Sequence, residues 1–152
     1  MFCGEPKRIS HLCRASDQVP SIPIGFLSRY SEQQGQEQRG EIQLTKALGV
    51  LKAFCFVVWD KGDGFDIHRL VQLVTQRWLG TKGTMLQFAG QALLTVSHMY
   101  PFGNYENRVI CSAYLPHVYA VLKFNGTGSK GEIVAKASLL HYAGGLFYYQ
   151  GQ

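Results

Sequence analysis

Four cysteines and five histidines are the side chains of this 152-residue sequence with the most capacity for chemistry. A cysteine nucleophile needs a base beside it, and a zinc ribbon needs paired C-x-x-C ligands. Cys3, Cys13, Cys55 and Cys111 form no such pair. Cys55 stands in a bulky apolar run and Cys111 beside Ile110, settings that keep a thiol protonated and inert. His98, His117 and His141 fall in separate segments with no partner four residues away, the spacing that lets a helix grip a metal. Asp63 with Asp66, and Glu37 with Glu41, read as turn and helix-start acids rather than as an acid–base pair.

Phosphate chemistry fares no better. Gly126 to Gly131 is glycine-rich, but a P-loop requires Gly-Lys followed by Ser or Thr, and none of the seventeen glycines precedes a lysine. No apolar strand ends in the paired acids that hold magnesium. The expectation is a non-enzymatic chain that holds no cofactor and no metal by itself.

The elements that position these residues are mainly helical. Ile9, Leu12 and Cys13 give a short stripe, and Pro23 to Leu27 opens a second helix with proline in its first turn. The polar, Gln-rich stretch Ser31–Gly40 reads as a surface loop. From Glu41 to Ala53, Ile42, Leu44, Ala47, Leu48 and Leu51 recur at helical spacing. Phe54–Trp59 is a β-type run, Lys61–Gly64 a turn and Phe65–Ile67 a returning strand.

Asp66 is the candidate cap of the next helix, whose apolar face is Leu70, Leu73, Val74 and Trp78, with Gly80 closing it. Thr84 and Gln87 have capping-box spacing before a helix that buries Leu86, Ala89, Leu93 and Val96. Val109–Phe124 is helical through Ile110, Tyr114, Val118 and Val121, with Pro116 expected to kink or divide it. Ser129 and Glu132 form a second capping box ahead of the stripe Ile133, Ala137, Leu140, Gly144 and Phe147.

A helix feeding a two-stranded hairpin is the pattern of a winged helix. The fold class expected is therefore mainly α: a winged-helix-like subdomain with a small β-hairpin over residues 9–80, then helical hairpins over 84–152. The terminal stripe fits the first helix of a tetratricopeptide-type repeat. Leu140 belongs to its packing face, Gly144 would sit where a second helix crosses closely, Phe147 would fill the groove, and Gly151 would end the helix.

Charge and composition narrow the function classes. The net charge is +5, but Arg29, Arg39, Lys46, Lys52, Lys61, Arg69, Arg77 and Lys82 never form a run. Dispersed bases without interleaved aromatics argue against nucleic acid. No apolar run is long enough to span a membrane, no signal segment opens the chain, and the reading is cytoplasmic with reduced thiols. The charged fraction of 16% is low against the roughly 25% usual for soluble domains. Uncharged surface of that extent suits an excerpt of a larger assembly.

Two segments carry a resemblance. Phe65-Asp66-Ile67-His68-Arg69-Leu70-Val71-Gln72-Leu73 through Leu79 resembles the end of the winged helix in fungal receptors related to nucleotide-binding, oligomerising immune receptors, the STAND or NB-ARC ATPases with kinesin-light-chain-like tetratricopeptide arrays. The likeness continues through Ser97–Pro101, Asn104–Asn107 and Tyr114–His117 to Leu140–Gly151, covering residues 42–152 well and 9–41 loosely. In that family a methionine-histidine-aspartate motif ends the winged helix, and its histidine contacts the diphosphate of ADP. The resemblance implies this contact for His68, within Ile67-His68-Arg69, where Arg69 stands in place of the aspartate. Within this chain the alternative role of His68 is a helix-start histidine bonded to backbone.

What the resemblance implies is a fragment of a cytosolic signalling receptor or scaffold. Its winged helix would act as hinge between an ATPase and repeats, its helical repeats would bind protein partners, and it would meet nucleotide only with an upstream ATPase domain. The alternative is a winged-helix nucleic-acid-binding module reading DNA with residues 41–53 through Gln43, Lys46 and Lys52, with Lys61 at the wing tip. That helix carries few bases and opens on Glu41, which phosphate repels. A truncated gene product without an independent role is the third reading.

Overall fold

The computed structural model describes residues 21–33, 37–60, 64–124 and 126–151. The Ile9–Cys13 stripe and the wing-tip Lys61 lie outside them. Among the described residues the chain forms six helices and a three-stranded sheet, as a mainly α fold with a small hairpin requires. Helices α4 (Met85–Met99), α5 (Arg108–Leu122) and α6 (Lys130–Gln150) pack mutually around one core. That core holds Leu93, Val96, Tyr100, Cys111, Val118, Leu139 and Leu146. Helix α1 (Ile24–Gln33) lies on α4 and inserts Phe26 into the same core, and α2 (Glu37–Ala53) packs on α1.

The sheet is antiparallel with order β1-β3-β2. Strand β2 (Val57–Trp59) pairs with β3 (Gly64–Ile67) in the register Val57↔Ile67, Val58↔Asp66, Trp59↔Phe65. The period of two puts Val57 and Phe65 inside and Val58 and Asp66 outside. A third strand, β1 (Ile22–Pro23), pairs with the other edge of β3. Its proline is tolerated because it lies on an edge strand.

Several expectations shift. Much of the Gln-rich stretch is helical, since α1 continues to Gln33 and α2 begins at Glu37. Phe54, Cys55 and Phe56 do not extend β2; they turn the chain out of α2. The Phe56 N–H donates to the Leu51 carbonyl at 2.9 Å and the Cys55 N–H to that of Lys52 at 2.9 Å. This is a Schellman closure with Cys55 at φ 57, a position where glycine is the usual occupant. Cys55 is consequently exposed rather than buried in a strand.

Helix α3 (Arg69–Lys82) ends at Gly83, with φ 69, one turn beyond Gly80. Its cap is His68, not Asp66, which stays in β3. Thr84 makes no side-chain cap bond. Pro116 leaves α5 undivided, at an exposed position. Ser129 does cap α6, accepting from the Glu132 N–H at 3.3 Å. Glu132 does not return to the Ser129 backbone, however. Its carboxylate accepts from the Thr127 hydroxyl at 2.8 Å and the Gly128 N–H at 2.9 Å.

Candidate functional site

His68 joins the sheet to α3. Its N–H donates to the Phe56 carbonyl at 2.9 Å, which fixes the end of β3 against the turn after α2. Its side chain turns back on the helix, and Nδ1 accepts from the Leu70 N–H at 3.3 Å. That is the backbone-bonded helix-start role. It also sets the tautomer, because a neutral ring accepting at Nδ1 carries its proton on Nε2. His68 is exposed, and the first N–H groups of α3 open beside it.

The outward surface of α3 is apolar. None of its residues is buried, and Leu70, Leu73, Val74 and Trp78 are 49–67% exposed. The periodicity located a stripe correctly but not its neighbour: α3 packs against α4, and its half-buried residues, Val71, Gln72 and Leu79, lie outside that stripe. Leu86 at the start of α4 is exposed too, while Leu93 and Val96 are buried. On α5, Ile110 is exposed and Val118 buried.

On α6 the buried residues are Glu132, Ala135, Leu139, Ala143 and Leu146. Leu140 is exposed, Phe147 half-buried, and Ile133 and Tyr148 exposed. The helix thus carries apolar residues on two faces, one against α4 and α5 and one bare. A Cβ at Gly144 would meet nothing within 4 Å, and the close approach falls at its neighbour Gly145, 3.0 Å from the Gly103 carbonyl oxygen. Gly151 terminates the helix at φ 73, its N–H reaching the Phe147 and Tyr148 carbonyls.

Two buried polar groups escaped the sequence reading. His117 on α5 is buried, packs edge-on against Phe26 at 5.4 Å and bonds through Nε2 to the Ser21 carbonyl at 3.2 Å. A carbonyl only accepts, so Nε2 donates. Burial lowers its pKa, partly offset by that bond. Beside it, α1, α4 and α5 enclose an apolar cleft of about 260 Å³ lined by Phe26, Leu27, Tyr30, Thr95, His117 and Val121. Tyr30 closes one side by donating to Gln91 Oε1 at 3.1 Å.

The second group is Tyr100, buried against Cys111 with no partner for its hydroxyl. Cys111 donates to the Pro101 carbonyl at 3.6 Å, and burial pushes the pKa of both groups up. No sequence pattern marks either site, since a histidine on a helix or a tyrosine just past one reads as surface or core equally well.

Among the described residues, no three His, Cys, Asp or Glu side chains gather as metal ligands do, and no helix is long and apolar enough to cross a membrane. Helix α2 exposes Gln43, Lys46 and Lys52, but Ile42 and Val50 are exposed with them, a surface ill suited to phosphate.

No protein-family model and no solved structure matches the chain. Among curated proteins it is similar to a nucleotide-binding leucine-rich repeat (NLR)-like protein of Hyaloscypha variabilis, with 42% identity over 108 residues. That match covers 70% of this chain and 11% of the relative. The chain spans about a ninth of the length of the curated relative it matches.

Proposed function

We propose that this chain is a non-catalytic part of a signalling receptor of the nucleotide-binding, NLR-like type, working in the cytoplasm as the junction between an ATPase and helical repeats. The observation that carries the reading is the 42% identity to the NLR-like protein over most of this chain. Within the junction, residues 9–80 act as the winged-helix-like hinge and residues 84–152 as the connector and first repeat helix. The hinge is not a loose tether, since Phe26 of α1 lies in the core shared by α4, α5 and α6.

His68 supports the nucleotide side of this reading. With Nδ1 engaged by Leu70, Nε2 is a donor, and beside it open the N–H groups of α3, where the helix dipole favours an anion. In a full-length protein this pair would contact an ADP phosphate presented by the ATPase. The bare face of α6, with Ile133, Leu140 and Gly144, supports the repeat side: a second helix laid there would cross closely at Gly144 without meeting a side chain. Protein partners would bind through such repeats.

The test is made on the chain together with the sequence that flanks it in its genome, purified with bound ADP. His68→Ala is expected to release ADP several-fold faster than wild type, and His68→Gln, which keeps a donor, to fall between. Equal release rates for all three would remove the nucleotide contact from the proposal.

A further inference from the structure

We infer that the outward face of α3 is a docking surface for an acidic amphipathic helix of another protein, with Arg77 receiving a carboxylate at the centre of the contact. This deepens the protein-interaction reading above and rests on it; the nucleotide role of His68 is measured separately.

The face is defined by Leu70, Leu73, Val74 and Trp78, all substantially exposed. In a helix of 3.6 residues per turn, Arg77 lies one turn beyond Leu73 and Val74 and two turns beyond Leu70. It therefore sits inside the apolar stripe and not at its margin, and it is exposed. Its charge has no counterpart in the neighbouring sequence. Helix α3 contains no acid, and residues 67–105 contain no Asp or Glu at all while carrying Arg69, Arg77 and Lys82. Covering the stripe with a purely apolar partner would strand the guanidinium out of water, a cost that a paired carboxylate offsets.

Charge placement also selects among occupants. A bilayer is met by helices whose bases flank the apolar face and reach up to the headgroups, so a central Arg is ill placed for lipid. A second copy packing α3 on α3 would bring acid-free helices together, with like charges opposed. A helix whose apolar seam is interrupted by Glu or Asp meets both requirements. It would lie along the stripe, which runs for about 12 Å from Leu70 to Trp78, by packing ridges into grooves.

The experiment is a selection on the full 152-residue chain from displayed amphipathic helices of about 18 residues, enough to overlap the stripe at both ends. One central seam position is drawn from Glu, Gln and Lys. Glu is expected to be enriched about tenfold or more over Lys on the wild-type chain, and Arg77→Glu to invert the preference. Trp78→Ala is expected to weaken every binder. Because α3 has no buried residue, these variants should keep the wild-type helix content, which circular dichroism checks.

Recovery of no binder, absence of a Glu preference, or a preference that survives Arg77→Glu overturns the inference. So does Trp78-dependent binding to phosphatidylserine vesicles without peptide binding, which would assign the face to lipid. Self-association of the chain that Trp78→Ala abolishes would assign it to a second copy.

Discussion

Gly90 of α4 lies directly against the carboxylate of Glu132 on α6: a methyl group at Gly90 would overlap Glu132 Oε1. The same carboxylate is backed by Gly126 and held by the Thr127 hydroxyl and the Gly128 N–H. A buried carboxyl group is thus seated in a pocket that two glycines leave open, and it ties the turn before α6 to α4. Gly90→Ala is expected to cost about 1–3 kcal/mol, because the carboxylate must leave its donors to admit the methyl. In a Glu132→Ala background the same substitution should cost much less, since the space is vacated. Urea denaturation of the four proteins reads this coupling. Additive losses would show that Gly90 acts through something other than Glu132.

Gly103 and Gly144 should respond in opposite directions. A Cβ at Gly103 would run into the α6 backbone at Tyr142 and Leu146, which cannot yield as a side chain can. Gly103→Ala is therefore expected to destabilise by about 3 kcal/mol, the upper end of overpacking losses. Gly144 meets nothing and sits inside a helix, so Gly144→Ala should stabilise the chain by up to about 1 kcal/mol from helix propensity alone. Thermal melts of the two variants check both signs. A loss at Gly144 in the isolated chain would mean that the α6 face is already covered.

The helices were legible in the sequence because spacing alone marks them, and the hairpin because Phe65 and Trp59 flank an obvious turn. Which face of each helix meets the core was not. Helix α6 has apolar residues on both sides, so the stripe through Leu140 and the one through Leu139 read alike; only packing on α4 and α5 selects Leu139. The same ambiguity hid the bare face of α3. Strand β1 is two residues long and includes a proline, too little for a period to show. His68 was legible as a helix-start histidine since a cap is a local matter, whereas His117 depends on Ser21, 96 residues away, and no local rule reaches that far. Leu139→Ala is expected to cost about 2–5 kcal/mol and Leu140→Ala less than about 0.5 kcal/mol, a contrast that denaturant titration resolves.

Cys55 and Cys111 should differ sharply in reactivity. Cys55 is exposed in the turn after α2, and Cys111 is fully buried with burial holding its thiol protonated. Iodoacetamide is expected to label Cys55 in the native chain and Cys111 only when denaturant opens the core, as peptide mapping would show. Cys55→Gly should also stabilise by about 1 kcal/mol, because an L residue at φ 57 in a helix closure carries a strain that glycine relieves. A destabilised Cys55→Gly would show that the side chain contributes more than its backbone costs.

His117 gives the fold an acid sensitivity of defined sign. Burial holds its pKa below the ordinary histidine value of about 6.5, which the unfolded chain retains. As pH falls through 6.5 the unfolded state takes up a proton that the folded state resists. The contribution of the neutral ring is therefore complete above about pH 6.5 and is lost progressively below it, by up to about 1.4 kcal/mol per pH unit until the folded pKa is passed. Protonation itself leaves the Nε2–H bond to Ser21 intact, so the cost is that of a charge held among Phe26, Tyr114 and the cleft wall. His117→Gln keeps a donor for Ser21 and does not titrate. Its stability is expected to fall less steeply than wild type between pH 6.5 and 5, with the two curves converging in slope above about pH 7. Parallel curves across that range would show that His117 is charged, or solvated, in the folded chain.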